Sequence, residues 1–199
     1  NHQYVFSGGG VLELLEGSDH DGAGFVRAFL DRFGARVHHV TLKVDDLPAA
    51  LDVLAAEGLE VVDVDLSDER WREAFVRPSS VGGLIVQVAS TTLSQADWTA
   101  LTGFTPTPPA DDGARLLGPL LQHPDLDRAR AVWTTLGGSV AVVEPDLLEV
   151  RWDDAPLTVR IRRGEVAGPV GLRFAGTPPL PEDPALGPAV LPVDVAVGS

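Results

Sequence analysis

The chain has 199 residues, a formal net charge of −14 and 44% hydrophobic residues. That length makes one large domain or two small ones, with enough apolar mass for a real core. So acidic a surface repels nucleic acid and anionic membranes. The absence of cysteine excludes disulfides, thiolate metal sites and cysteine nucleophiles.

No apolar run is long enough to cross a bilayer and no signal peptide is recognisable, so a cytoplasmic protein fits best. The chain contains no methionine and opens on Asn1-His2-Gln3-Tyr4-Val5-Phe6, which is already strand-like. A segment upstream of Asn1 is therefore expected to be missing from this sequence, with N-terminal processing or chance as the alternative.

Gln3–Phe6 and Val11–Leu15 flank Ser7-Gly8-Gly9-Gly10 and read as a β-hairpin. In its second strand Glu13 is a carboxylate on an otherwise apolar face. Gly17–Gly24 reads as a polar loop. Phe25, Phe29 and Phe33 then recur at helical spacing up to a Gly34 stop.

The stretch Arg36–Leu47 is the pivot of the chain. Apolar and polar residues alternate from Val40 to Val44, which predicts a half-buried strand. Only one of His38 and His39 can face inward from it. Asp46 stands as a helix N-cap with Pro48 in the first turn, and the helix runs to Glu57 before Gly58 stops it. Strands are predicted over Leu59–Leu66, Glu73–Val76 and Leu84–Val88, the last carrying Gln87 in an apolar run. A short helix is expected within Thr91–Thr102, and residues 105–113 read as a linker by composition.

The pattern then starts again. Leu116–Gln122 is predicted as a strand, Asp125–Leu136 as a capped helix, and Val140–Val143, Leu147–Trp152 and Leu157–Ile161 as strands. Gly168–Ala175 adds one more. The cap Asp46 and stop Gly58 recur 79 positions later as Asp125 and Gly137, an internal repeat. Residues 176–199 are Pro-rich and read as a surface tail.

The repeated strand–helix–three-strand unit, with several local strings, resembles the vicinal oxygen chelate superfamily of glyoxalases, methylmalonyl-CoA epimerases, extradiol dioxygenases and bleomycin-resistance proteins. Gly10-Val11-Leu12-Glu13-Leu14-Leu15-Glu16 is similar to the last strand of a first module. Phe29–Gly34 followed by Val37-His38-His39-Val40 is similar to the linking helix and first strand of a second. Phe75-Val76-Arg77-Pro78 and Gly83–Val88 resemble its closing strands. The likeness covers residues 4–90 best, nearest the glyoxalase-like and epimerase-like branch. It implies an α+β fold of βαβββ modules whose mixed sheets curl around a cleft. The implied divisions are 1–90 (a module pair, the first truncated), 91–114 (linker), 115–176 (a degenerate third module) and 177–199 (tail).

The resemblance also implies a metal site with ligands from the first and last strands of each module. Glu13, His39 and Gln87 occupy three such positions, and the fourth has no counterpart in this chain. In the later repeat the first-strand position is Gly118 and the closing strand offers Arg160, so that unit reads as structural or pairing. A mixed oxygen and nitrogen set suits zinc, nickel, cobalt, manganese or magnesium. Such an ion would stabilise an enolate next to a carbonyl, with Glu13 as ligand and catalytic base.

The reading is a glyoxalase-like lyase or isomerase acting on a small or CoA-linked substrate, with Arg77 and Trp71 as substrate contacts. The alternative is a non-catalytic ligand-binding module of the resistance type. Arg70, Arg72 and Arg77 read either as an anion clamp or as a solvated hairpin. His2, His20 and His123 read as surface residues, and Trp133 and Trp152 as core or pocket wall. A homodimer through the later repeat is a further expectation.

Overall fold

The computed structural model describes residues 2–16, 24–102 and 114–176. The polar loop with His20, the linker at 105–113 and the Pro-rich tail lie largely or wholly outside these residues. Eleven strands and five helices are present among the described residues. They build an α+β fold with three mixed or antiparallel sheets.

The hairpin comprises β1 (His2–Val5) and β2 (Val11–Leu14), paired antiparallel as a two-stranded sheet of its own. Helix α1 (Gly24–Phe33) follows. The first complete unit is β3 (His39–Lys43), α2 (Leu47–Ala56), β4 (Val61–Asp65), β5 (Arg72–Val76), the short α3 (Pro78–Val81) and β6 (Ile85–Ser90). Its sheet runs β3-β6-β5-β4. Helix α4 (Gln95–Thr102) comes next, and Ser94 and Asp97 cap its start reciprocally.

The second unit is β7 (Arg115–His123), α5 (Leu126–Thr135), β8 (Ser139–Glu144), β9 (Leu147–Arg151) and β10 (Val159–Arg163). Its sheet repeats the same order, β7-β10-β9-β8, with β11 (Gly168–Ala175) added antiparallel on the outer edge of β7. In both sheets the first strand lies parallel to the last, and the other pairings are antiparallel.

The helical halves of the repeat are built by the same chemistry. The Asp46 carboxylate accepts from Ala49 N at 3.1 Å, and Asp125 accepts from Arg128 N at 3.0 Å. Each satisfies one of the donors that a helix start leaves open. Gly58 (φ +74°) and Gly137 (φ +80°) leave the two helices in the left-handed region that favours glycine.

Alternation then sorts the strands. Leu42, Val76, Val86 and Val88 turn to the α2 side of the first sheet, and Leu121, Leu148, Val150, Val159 and Ile161 to the α5 side of the second, around the buried Trp133. One continuous apolar cluster holds both sets. The opposite faces of both sheets carry the polar side chains.

The hairpin does not join either large sheet. Tyr4 and Leu12, partners across the hairpin, pack with Phe6 on a separate cluster of Ala114, Leu116, Leu157, Leu172 and Phe174. The Phe6 and Phe174 rings meet at 5.5 Å. No helix of the described residues is long and apolar enough to cross a membrane.

Candidate functional site

The polar face of the first sheet gathers the candidates. Strand β3 registers His39 against Ile85 and Thr41 against Gln87, so His39, Thr41 and Gln87 share a face. Strand β5 registers Phe75 against Gln87, which puts Glu73 on that face one step along. Gln87, buried among these strands, is held at both ends of its amide. Its Oε1 accepts from the Thr41 hydroxyl at 2.5 Å, and its Nε2 donates to Glu73 Oε2 at 2.6 Å. A carboxylate can only accept, so this orientation of the amide follows from its neighbours.

The Trp71 indole donates to the same Glu73 oxygen at 2.7 Å. Its ring lies 5.2 Å from that of Trp98, and Lys43 Nζ lies 5.8 Å from the Trp71 ring centroid. The result is a fixed carboxylate beside an aromatic pair and a cation.

His39 meets His38 through Nδ1 atoms 2.9 Å apart, so one ring donates and the other accepts. His38 is also ringed by Phe25 and Phe29. Burial, and then the neighbouring His39, pull His38 from 6.5 down to about 4. Burial also lowers His39, and nearby Glu73 pulls it partly back. A histidine that resists protonation when folded penalises the folded state in acid. Its contribution is whole above pH 6.5, falls as the pH drops, and levels off once folded His38 itself protonates near 4. Stability from this source is expected to fall by about 1–2 kcal/mol across that window, the half-buried ring being partly screened by solvent. Urea unfolding of wild type and His38→Gln at several pH values checks it, with the variant showing the flatter slope.

The remaining sequence candidates fall elsewhere. Glu13 sits on the hairpin, on the face away from Tyr4 and Leu12, and no hydrogen bond or ion pair among the described residues links it to His39 or Gln87. Arg77 lies beyond the far end of β5, about 13 Å along the strand from Glu73. There it pairs with Glu60 at 2.7 Å, both side chains being well exposed. Trp71 is the one predicted substrate contact that the fold brings to the cluster. Glu73, Thr41 and Lys43 were not singled out from sequence, although the alternation of β3 and β5 placed them on that face.

A divalent ion of the implied kind needs three or four donors. Here the Gln87 carbonyl is taken by Thr41, one Glu73 oxygen by Trp71 and Gln87, and one His39 nitrogen by His38. Among the described residues no three His, Cys, Asp or Glu side chains come together as a metal-binding group. Of the set Glu13, His39 and Gln87, the fold brings the second and third onto one sheet face and places Glu13 on the separate hairpin.

In the second sheet the equivalent face is differently furnished. Thr41 and Gln87 find their counterparts in Leu120 and Arg160, again in register. Glu149, opposite Arg160 on β9, is buried, and accepts from Arg160 Nε at 2.6 Å and Arg151 Nε at 2.7 Å. A cleft of about 420 Å³ lies apart from both polar faces, between α3 and the start of α5, with Ser79, His123 and Arg128 in its wall. His123, read as a surface residue, accepts there from Asp125 N at 3.0 Å.

No family model matches the chain, and no curated protein matches it. Solved structures do. A hypothetical protein from Staphylococcus aureus matches with a TM-score of 0.52 and 11% identity, over 79% of this chain and 64% of its own. Catechol 2,3-dioxygenase matches with a TM-score of 0.52 and 14% identity, over 73% and 53%. A xylose isomerase-like TIM barrel/4-hydroxyphenylpyruvate dioxygenase fusion protein matches with a TM-score of 0.50 and 16% identity, over 75% and 27%. The chain thus spans less than two thirds of the length of each. At these identities the likeness shows the fold, the one expected for the vicinal oxygen chelate superfamily, to which catechol dioxygenase belongs. It carries no activity with it.

Proposed function

We propose that this chain is a ligand-binding protein of the paired βαβββ fold, which holds a small, flat, polar molecule on the polar face of its first sheet. One observation carries the reading: the Glu73 carboxylate is clamped by Trp71 and Gln87 beside the Trp71–Trp98 aromatic pair. Both hydrogen bonds fall on Oε2, which leaves Oε1 for a donor on the ligand. The tilted indole pair offers an apolar wall, and a preoriented carboxylate offers direction, the combination small-molecule sites use.

The test uses benzamidine and 2-aminobenzimidazole, flat cations that present two N–H groups to a carboxylate. Saturable quenching of tryptophan fluorescence is expected, weakened at least about tenfold in Glu73→Gln, the loss of one charge-assisted contact. No saturable change, or equal binding by the variant, overturns the reading.

A metal-dependent lyase or isomerase acting next to a carbonyl, on a small or CoA-linked substrate, is the second reading. The observation in its favour is that His39 lies within electrostatic reach of Glu73. It requires a stoichiometric divalent ion. Metal analysis after exposure to manganese or zinc and dialysis separates the two. Retention of one ion per chain, lost in His39→Ala, would establish the second reading over the first.

A further inference from the structure

The polar face of the second sheet gathers three arginines around one acid, and one of the three is buried with a donor unsatisfied. Arg173, on β11, is only 3% exposed. Its guanidinium crosses β7 above Gly118, and Nη2 donates to Leu117 O at 3.0 Å and to Thr158 O and Oγ1 at 2.7 Å each. Its Nε is buried and has no partner. The acid of this face is Glu149, 4% exposed in its side chain, and both its oxygens are taken by Arg151 and Arg160. Three guanidiniums thus stand against one carboxylate, in a chain whose net charge is −14.

A buried donor without an acceptor is costly and uncommon in a folded protein, and its usual explanation is an occupant such as an ion or water. Water supplies an acceptor but adds no negative charge to a face of three guanidiniums and one carboxylate. An oxyanion supplies both, and arginine is the side chain best suited to holding one. Arg151 and Arg160 are 66% and 39% exposed in their side chains, so an anion arriving from solvent meets guanidinium donors before it reaches the buried Arg173. We propose that this face is a binding site for a small oxyanion, the phosphate or carboxylate group of a ligand, held by Arg173 and Arg160 beside Glu149. Burial and then the neighbouring Arg160 also draw Arg173 down to about 10, the strain that an anion would relieve.

The experiment is a titration of the full ¹⁵N-labelled chain with inorganic phosphate and, separately, acetate, following the arginine Nε–H resonances at ionic strength matched with sodium chloride. A saturable shift of the Arg173 signal is expected. A response to phosphate alone assigns a phosphate group, to acetate alone a carboxylate, and to both a general oxyanion site. Arg160→Gln, a partly exposed position, is expected to weaken binding at least about tenfold. Arg70→Gln, which removes a distant surface cation paired with Asp68, is expected to leave it unchanged. If neither anion moves the Arg173 signal saturably, or if Arg70→Gln weakens binding as much as Arg160→Gln, the proposal is overturned. Should Arg160→Gln fail to fold, Arg160→Lys, which keeps the charge but loses the guanidinium fork, replaces it under the same criteria. The outcome is independent of the first sheet's site, because Arg173, Arg160 and Glu149 all belong to the second sheet.

Discussion

Glu149→Ala is expected to cost about 2–4 kcal/mol of folding stability, the loss of two charge-assisted hydrogen bonds whose arginine donors stay partly solvated. The loss does not come chiefly from the attraction itself, because a buried carboxylate pays most of that back in lost hydration. It comes from what remains. Arg160 loses its acceptor, and Arg173, almost fully buried, loses the nearby negative charge that steadies it. Burial pushes the Glu149 carboxyl up, but hydrogen bonds from Arg160 and then Arg151 outweigh it and hold the group below 4.5. A carboxylate held low when folded stabilises fully above its unfolded value, and that stabilisation is lost as the pH falls through the lower folded value. Chemical unfolding at neutral pH should therefore show the full difference between wild type and variant, and the gap should close in acid below pH 4.5. If oxyanions occupy this face, added phosphate should restore part of the variant's stability by mass action.

Gly118→Ala is expected to be at least as damaging, at roughly 2–5 kcal/mol. Gly118 has φ +111°, and an added Cβ would stand 2.2 Å from Thr158 O and 3.1 Å from Thr158 C. Those are backbone atoms of the adjoining strand, fixed by Thr158 N donating to Leu117 O at 3.0 Å, so no side-chain rotation relieves the clash. Gly58→Ala provides the comparison. Gly58 also has positive φ, but no atom lies within 4 Å of its built Cβ. It should lose only the dihedral part, about 1–2 kcal/mol. Thermal and denaturant unfolding of the two variants side by side measures the difference. Gly118→His should fare no better than Gly118→Ala, because any Cβ there meets the same backbone atoms.

The two positions share a cause. Where the first unit has His39, the second has a bare glycine, and the space it leaves lets Arg173 reach across β7 to β10. Where the first unit has Gln87, the second has Arg160. The same strand order thus carries a neutral amide clamp on one sheet and a guanidinium cluster on the other. A repeat preserves what the fold needs, which is the caps and the apolar face. It diverges on the opposite face, where each sheet satisfies its polar groups in its own way.

Local chemistry determined much of this molecule. Period-two alternation set the strands, Asp46 and Asp125 set the helix starts, and Gly58 and Gly137 set the ends, because these depend on neighbours within a few residues. The βαβββ layout followed, and with it the facing of His39 and Gln87 toward one side. What the sequence did not carry was which distant strands supply the partners. Glu73 reached Gln87 only through the antiparallel register of β5 and β6, and Arg173 reached Thr158 only because β11 adds to the edge of β7. Glu13 matched a ligand string, yet its strand pairs in a separate hairpin whose Tyr4 and Leu12 bury against Phe174 and Leu116. Periodicity tells a residue which face it occupies, but only strand pairing and packing decide what shares that face. That is why the architecture was legible in advance and the membership of both polar clusters was not.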